Sequence, residues 1–441
     1  MSNATIIQMT FMAILLSVQP LSAFDLMLAD ERIEHIHLFS GNAPSAHFSL
    51  FLAPAWYDRI ARDSDRHYLP PRDDHYFKIG SIAPSLVTGE KTEIEPNFET
   101  VKSWSYTHCI PLGVFDDHLL WVNNDIGGIT MWRGMIGFNP VDMFGTSKVP
   151  LEEKANKAHS ELVTNYRAIN TPAWMSPVVN GMPVPQKEPQ ISTMAPSHVF
   201  ALTGMFDKKL EKGYCVGLSK AGEEYEDHND TRTFYPTAQL WISAFSAPEF
   251  EVSPIRRVIR GATVQTSGGD VTKDRFTHVT AAFFGSIPMI AVRNDRDSSI
   301  QVIDYDSGKQ LYKSPSRKVP LPEEYQKTPV ENLLMAANEK AAYLGIVFTE
   351  KSDKESKRFL LFERTRDTTE WKEFARLELP KDSSSPTMCV QKSDLFYAYL
   401  QSVVVDNPPE TVDKLGKTSL DKKVTIFKHS LNKNAVPPIK E

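Results

Sequence analysis

The chain has 441 residues, 41% hydrophobic and 24% charged, a composition that supports a sizeable core and excludes wholesale disorder. A formal net charge of −6 leaves no basic field for nucleic acid or an anionic membrane, and the largest cationic cluster is Arg256, Arg257 and Arg260. Thirty prolines spread along the chain break it into short elements, which argues against long helices.

The first recognisable segment is the apolar run Phe11-Met12-Ala13-Ile14-Leu15-Leu16-Ser17-Val18, followed by Leu21-Ser22-Ala23. A short apolar run ending in small residues predicts a secretory signal over 1–23, cleaved after Ala23, and a secreted product. The run is too short for a membrane span, and no later stretch reaches the roughly 20 apolar residues that one needs. The first ten residues carry no Lys or Arg, so a buried first strand or helix is the competing reading. In an exported chain, Asn229-Asp230-Thr231 is a glycosylation sequon with Asn229 as the acceptor. The cysteines, Cys109, Cys215 and Cys389, have no CxxC spacing. They suit either one disulfide with a thiol left over or three buried thiols.

Strand-like runs follow the leader. Residues 35–39 and 47–52 are alternating or continuously apolar, and 119–122 with 129–132 flank an Asn/Asp/Gly turn, which predicts a hairpin. Runs at 198–202 and 238–245 come next. Residues 279–284, 289–293, 300–305 and 310–313 then read as four strands in quick succession, and further runs recur at 342–348, 358–362, 374–377, 394–400 and 424–428. The apolar centres fall near residues 120, 200, 240, 284, 345 and 397. Their spacing is mostly about 40 to 60 residues, with one longer gap, and four strands in about forty residues is the size of a propeller blade. The expected fold is therefore all-β: one β-propeller domain over 24–441, with six or seven blades and six preferred.

Within this pattern, Val302-Ile303-Asp304-Tyr305-Asp306-Ser307-Gly308-Lys309-Gln310-Leu311-Tyr312 resembles the outer strands and turn of a quinoprotein-like propeller blade. An aspartate ends one strand, a Gly-Lys turn follows, and an aromatic sits on the next strand. Tyr312 stands where that family usually has tryptophan. The resemblance covers about a dozen residues of one blade and implies blade geometry, with no quinone cofactor. Between blades, residues about 145–195 read as a helical and proline-rich insertion. Pro150 suits a first helical turn, and Leu151, Ala155, Ala158 and Leu162 share a face, so a helix is expected over 150–163.

Candidate chemistry concentrates in the first half. Asp63, Asp65, His67, Asp73 and His75 alternate carboxylates and imidazoles on an extended segment. They are the candidate ligands for a divalent ion, Ca²⁺ through the aspartates or Zn²⁺ through the histidines, although no cofactor is required. A salt-bridged loop with Arg62, Arg66 and Arg72 is the competing reading. His35 and His37 point the same way on a strand and form a half-site at most. Trp56, Tyr57 and Trp174 lie among prolines and polar residues and are the candidate ligand-stacking rings, whereas Trp121 and Trp241 sit in apolar strand runs and read as core. No Gly-x-Ser-x-Gly, phosphate-binding glycine loop or His-Glu-x-x-His is present. The expected function is a secreted, monomeric binding protein for a carbohydrate or small organic ligand. The alternatives are a propeller enzyme (hydrolase, lyase or cyclase) acting in the central pocket, and a protein-interaction scaffold.

Overall fold

The computed structural model describes residues 22–28, 33–40, 47–54, 76–87, 98–102, 109–115, 118–125, 128–135, 160–165, 178–179, 182–183, 191–192, 199–221, 237–246, 251–252, 255–258, 264–266, 269–271, 276–295, 297–309, 314–349, 356–404 and 420–430. Antiparallel strands make up nearly all of this, and the described helices, Pro84–Val87 and Glu323–Gln326, have four residues each. No described helix is long and apolar enough to cross a membrane.

Among the described residues, six sheets of four or more strands follow one another along the chain, besides two two-stranded pairs, Val178–Val179 with Met182–Pro183 and Val264–Thr266 with Gly269–Val271. Sheet I runs outward from Ile33–Phe39 through Phe48–Pro54 and Tyr76–Ile82 to Phe98–Lys102. Sheet II comprises Cys109–Phe115, His118–Asp125, Gly128–Met135 and Ser160–Asn165. Sheet III has six strands: Val199–Asp207, Lys212–Ala221, Thr237–Ser246 and Ile255–Val258, with the short strands Ile191–Ser192 and Glu251–Val252 on its outer side. Sheet IV is Phe276–Phe284, Ile287–Asn294, Ser299–Asp304 and Ser316–Lys318, and sheet V is Val330–Ala337, Ala341–Phe348, Ser356–Thr365 and Lys372–Pro380. Sheet VI takes Ser384–Gln391, Asp394–Val404 and Leu420–Ser430 from the C-terminal end and completes itself with Ser22–Leu28 from the N-terminal end. This arrangement is a β-propeller, with five four-stranded sheets as regular blades.

The burial pattern explains why these sequences stack. The second strand of sheet V, Ala-Ala-Tyr-Leu-Gly-Ile-Val-Phe, is buried at every position, and that of sheet IV at every position but its first. A strand with apolar side chains on both faces must be covered on both, which a ring of sheets packed face to face supplies. Separate apolar clusters fill the seams between sheets VI and I (Leu38, Phe48, Phe396), I and II (Phe51, Phe77, Trp121), III and IV (Tyr214, Leu240, Ile290), IV and V (Met289, Leu344, Phe362) and V and VI (Phe359, Leu361, Tyr397). Close packing has backbone consequences. At Gly217, paired across the strands with Trp241, a Cβ would come within 2.2 Å of the indole, so only glycine fits under that ring.

Some expectations need correction. Residues 160–163 were expected in a helix, but Ser160–Asn165 is the outer strand of sheet II, paired with Gly128–Met135. Edge pairing overrides the local helical pattern there, and the rest of the 145–195 insertion lies largely outside the described residues. The fourth strand of sheet IV is Ser316–Lys318, while 310–313 lies outside the described residues. Among the described residues five sheets are regular four-stranded blades, beside one six-stranded and two two-stranded sheets, so the expected six or seven blades are matched only as far as five. The Asp304–Lys309 turn does form as expected: Gly308 N–H donates to Asp306 Oδ1 at 2.9 Å, and Lys309 N–H donates to the Asp306 carbonyl at 2.9 Å.

Asp304 accepts both Arg364 guanidinium nitrogens, at 2.7 and 2.8 Å, linking sheets IV and V in a poorly exposed, bidentate ion pair. Arg364→Ala strands that carboxylate and should cost about 2 kcal/mol, more than a surface pair, because the remaining charge loses its partner in a partly desolvated seam. Urea unfolding of Arg364→Ala, Asp304→Asn and the double variant checks this. The double variant should recover part of the loss, and a single-variant loss below about 0.5 kcal/mol would place the pair with ordinary surface contacts.

Candidate functional site

The first strands of the six sheets stand side by side around a common axis, and their C-terminal halves enclose a cavity of about 540 Å³. Phe39, Leu112, Phe206, Phe283, Met335 and Met388 each represent one sheet in its wall. The turns Asp207–Leu210, Gly285–Ser286 and Asn338–Glu339 lie around the same space, so the cavity opens where each inner strand folds back into its hairpin.

Hydrogen bonds between neighbouring hairpins hold this rim. Gly285, at φ +58°, donates its N–H to the Asn338 carbonyl at 3.2 Å. Glycine adopts that left-handed turn conformation without steric cost. The Asn338 side chain accepts the N–H groups of Lys340 (2.8 Å) and Ala341 (2.9 Å) and donates to the Lys392 carbonyl at 3.3 Å, joining sheets V and VI. Ser40 Oγ donates to the Val390 carbonyl at 2.7 Å, joining VI and I. Lys209 Nζ meets Glu339 Oε1 at 3.2 Å from two sheets away, with both side chains largely exposed. Asp207 caps its own turn through the Leu210 N–H at 3.0 Å.

Two ionisable groups in the wall are held neutral. Burial pulls the His37 imidazole down to about 4, and its ring lies 4.7 Å from that of Phe39 on the same side of the strand. Burial pushes the Cys389 thiol well above the usual thiol range, so no thiolate is available there. Cys389 and Cys215 are both buried thiols, in line with the buried-thiol alternative for these two.

The opposite end of the axis is also polar but is internally satisfied. Lys357 Nζ bonds Glu331 Oε1 at 2.5 Å and the Ser383 carbonyl at 2.7 Å, and Thr349 Oγ1 donates to Glu331 Oε2 at 3.3 Å. Nearby, His278 Nδ1 lies 3.0 Å from Thr277 Oγ1, and burial lowers the pKa of that imidazole.

The residues singled out from sequence fare unevenly. Trp56, Tyr57, Asp63, Asp65, His67, Asp73 and His75, between the strands Phe48–Pro54 and Tyr76–Ile82, lie outside the described residues, as do Trp174 and Asn229. Trp121 and Trp241 are core, at 0% and 1% exposure. His37 reaches the cavity, but among the described residues no group of three His, Cys, Asp or Glu side chains is placed to hold a metal. The hairpin-tip residues Asp207, Lys209, Asn338, Glu339 and Arg366 were not anticipated. Each reads as ordinary turn chemistry, and only the ring closure gathers them at one mouth.

No protein-family model matches the chain, and no curated protein sequence does. Among solved structures it is similar to the endosialidase of phage phi92, at 8% identity and a TM-score of 0.46, covering 96% of this chain and 71% of that one. It is also similar to an alpha-L-arabinanase of Penicillium chrysogenum, at 10% identity and a TM-score of 0.45, covering 93% and 98%. An exo-beta-1,3-galactanase of Clostridium thermocellum aligns at 10% identity and a TM-score of 0.36, with 72% of this chain spanning 58% of that one.

His37 makes acid stability a readout of the cavity wall. Above pH 6.5 its imidazole is neutral in both folded and unfolded chains. Between 6.5 and about 4 the unfolded chain takes up the proton first, so stability falls as pH drops, and below about 4 the loss is complete. The contribution is on the order of 2 kcal/mol. Urea midpoints at pH 7 and pH 4.5 should converge more closely for His37→Gln than for the wild type. An equal acid loss in both would show that His37 is solvated.

Proposed function

We propose that this protein is a binding propeller that holds a carbohydrate or another small organic ligand in the axial cavity at its hairpin end. The carrying observation is the cavity itself: about 540 Å³, lined from all six sheets by apolar side chains such as Phe39, Phe206 and Met335 and, in comparable measure, by polar and charged ones. That volume falls among pockets that enclose small organic ligands. Binding is favoured over hydrolysis because a glycosidase mechanism needs two opposed carboxylates. Among the described residues, the cavity's carboxylates are Asp207 and Glu339, both on the rim and both engaged.

The same reading treats sheet III as a sixth blade, since its inner strand Val199–Asp207 takes its place at the axis. It also keeps export. Cleavage after Ala23 would remove two residues from the strand Ser22–Leu28 and keep Phe24, Leu26 and Leu28, which pack toward the core. N-terminal sequencing of exported protein should therefore begin at Phe24.

Calorimetric titration against panels of neutral oligosaccharides and small organic acids tests the binding site, with Ser286→Trp as the control. Ser286 is exposed at the cavity mouth, so an indole there blocks entry without touching the core. At least one panel member should bind in a one-to-one ratio, and the substitution should weaken it at least tenfold. Binding indifferent to Ser286→Trp would move the site elsewhere.

A further inference from the structure

The chemistry of the cavity narrows its occupant, on the reading that the cavity is the binding site. The geometry points to an amphiphilic carboxylate, an acid with an apolar body, whose carboxylate is received by Arg366 while the body lies against the phenylalanine and methionine wall.

The first argument is what the wall no longer offers. A polyhydroxylated ligand draws on many hydrogen-bonding side chains, and two of those lining the cavity are engaged already: the Asn338 amide through both its oxygen and its nitrogen, and the Ser40 hydroxyl with Val390, which leaves Ser49, Ser286 and the His37 ring. A sugar entering there would lose water without regaining equivalent bonds. An apolar body has no such cost against Phe39, Phe206, Phe283 and Met335.

The second argument is what the mouth exposes. Leu210 and Ile287, at 41% and 45% exposure, are two of the three exposed large hydrophobics among the described residues. Both sit at the hairpin tips of adjacent sheets III and IV, Leu210 lining the cavity and Ile287 next to Ser286, which also lines it. The apolar wall therefore continues outward over the rim.

The third argument is charge. Lys208, Lys209 and Arg366 border the cavity against Asp207 and Glu339, in a chain whose net charge is −6. Asp207 is spent on its turn and Glu339 on Lys209. The Arg366 backbone N–H bonds the Lys340 carbonyl, while its guanidinium has no ion-pair partner among the described residues. A planar guanidinium at the edge of an apolar pocket receives a carboxylate in a two-pronged contact. The exposed Lys209–Glu339 pair is weak enough to open, so Glu339 competes with an incoming acid for the rim cations.

The test compares 4-phenylbutyrate with its neutral analogue 4-phenylbutanamide by calorimetry, on the wild type and on Arg366→Gln, a change at an exposed turn position. The acid should bind at least tenfold more tightly than the amide. Arg366→Gln should abolish that preference while leaving amide affinity within twofold, and Glu339→Gln should tighten acid binding severalfold. Equal binding of acid and amide to the wild type, or an equal loss of both in Arg366→Gln, would overturn the proposal. If a neutral oligosaccharide binds in a Ser286→Trp-sensitive way and the acid does not, the carboxylate assignment falls and the cavity reading stands. If nothing binds in a Ser286→Trp-sensitive way, both fall.

Discussion

Seven residues from the N-terminal end, Ser22–Leu28, pair in register with Lys422–Lys428 from the C-terminal end, and this single antiparallel contact closes the ring. Phe24, Leu26 and Leu28 face the apolar cluster between sheets VI and I, while Asp25 on the other side accepts a hydrogen bond from Thr425 at 2.7 Å. Pairing across some 400 residues carries a loop-closure cost that grows only slowly with length, roughly as its logarithm. Once made, it converts a row of sheets into a circle in which no sheet face is left as an end. The cavity exists only because of that closure, since its wall takes one strand from every sheet.

Closure leaves a second problem, because the inner edge of each sheet faces the axis with unpaired backbone groups. At the seam between sheets VI and I the solution is visible atom by atom. Ser385 and Thr387 hydroxyls accept the N–H groups of Ile36 and Leu38 at 2.9 and 3.0 Å. Ser385 holds φ at +47° in doing so, a conformation unusual for a residue with a side chain. Polar side chains on the inner strands are thus partly an answer to backbone valence, which is why polarity near the axis does not by itself mark a binding group.

The same fact explains what could be read from the sequence. The buried second strands of sheets I, II, IV, V and VI carry apolar runs and were legible at once, as were the turn at 294–299 and the hairpin across 123–128, where Asp125 pairs with Gly128, whereas Lys212–Ala221 of sheet III, interrupted by glycines, was missed. The inner strands Val330–Ala337 and Ser384–Gln391 were missed, since small and polar residues interrupt them and Pro386 sits inside the second. The apolar centres near 200 and 240 belong to the same sheet, whereas the sheet at 33–102 lacked a centre in that series. A helical face at 155–162 misled because edge strands carry few apolar constraints of their own. Of the site, only His37 stood out beforehand, and for a metal-binding role that the described residues do not support. The rim residues belong to tight turns, and nothing local separates a turn at the mouth of a channel from a turn elsewhere.

In their C-terminal halves the inner strands border the cavity with small residues that let neighbouring sheets approach. A Cβ on Gly204 would come within 2.0 Å of Leu112 and one on Gly113 within 3.3 Å of Phe206, while Ala281, Ala282, Ala336 and Ala337 pack into the seam clusters. Toward their N-terminal ends the inner strands carry His278 and Glu331: the imidazole bonds the Glu331 backbone across the seam between sheets IV and V, while the Glu331 carboxylate bonds Lys357 within sheet V. The open space is therefore bounded by inner strands already packed on their neighbours, with aromatic rings and a neutral imidazole at its edge. The hairpin turns place charge at the entrance, where it meets water and the polar end of whatever enters.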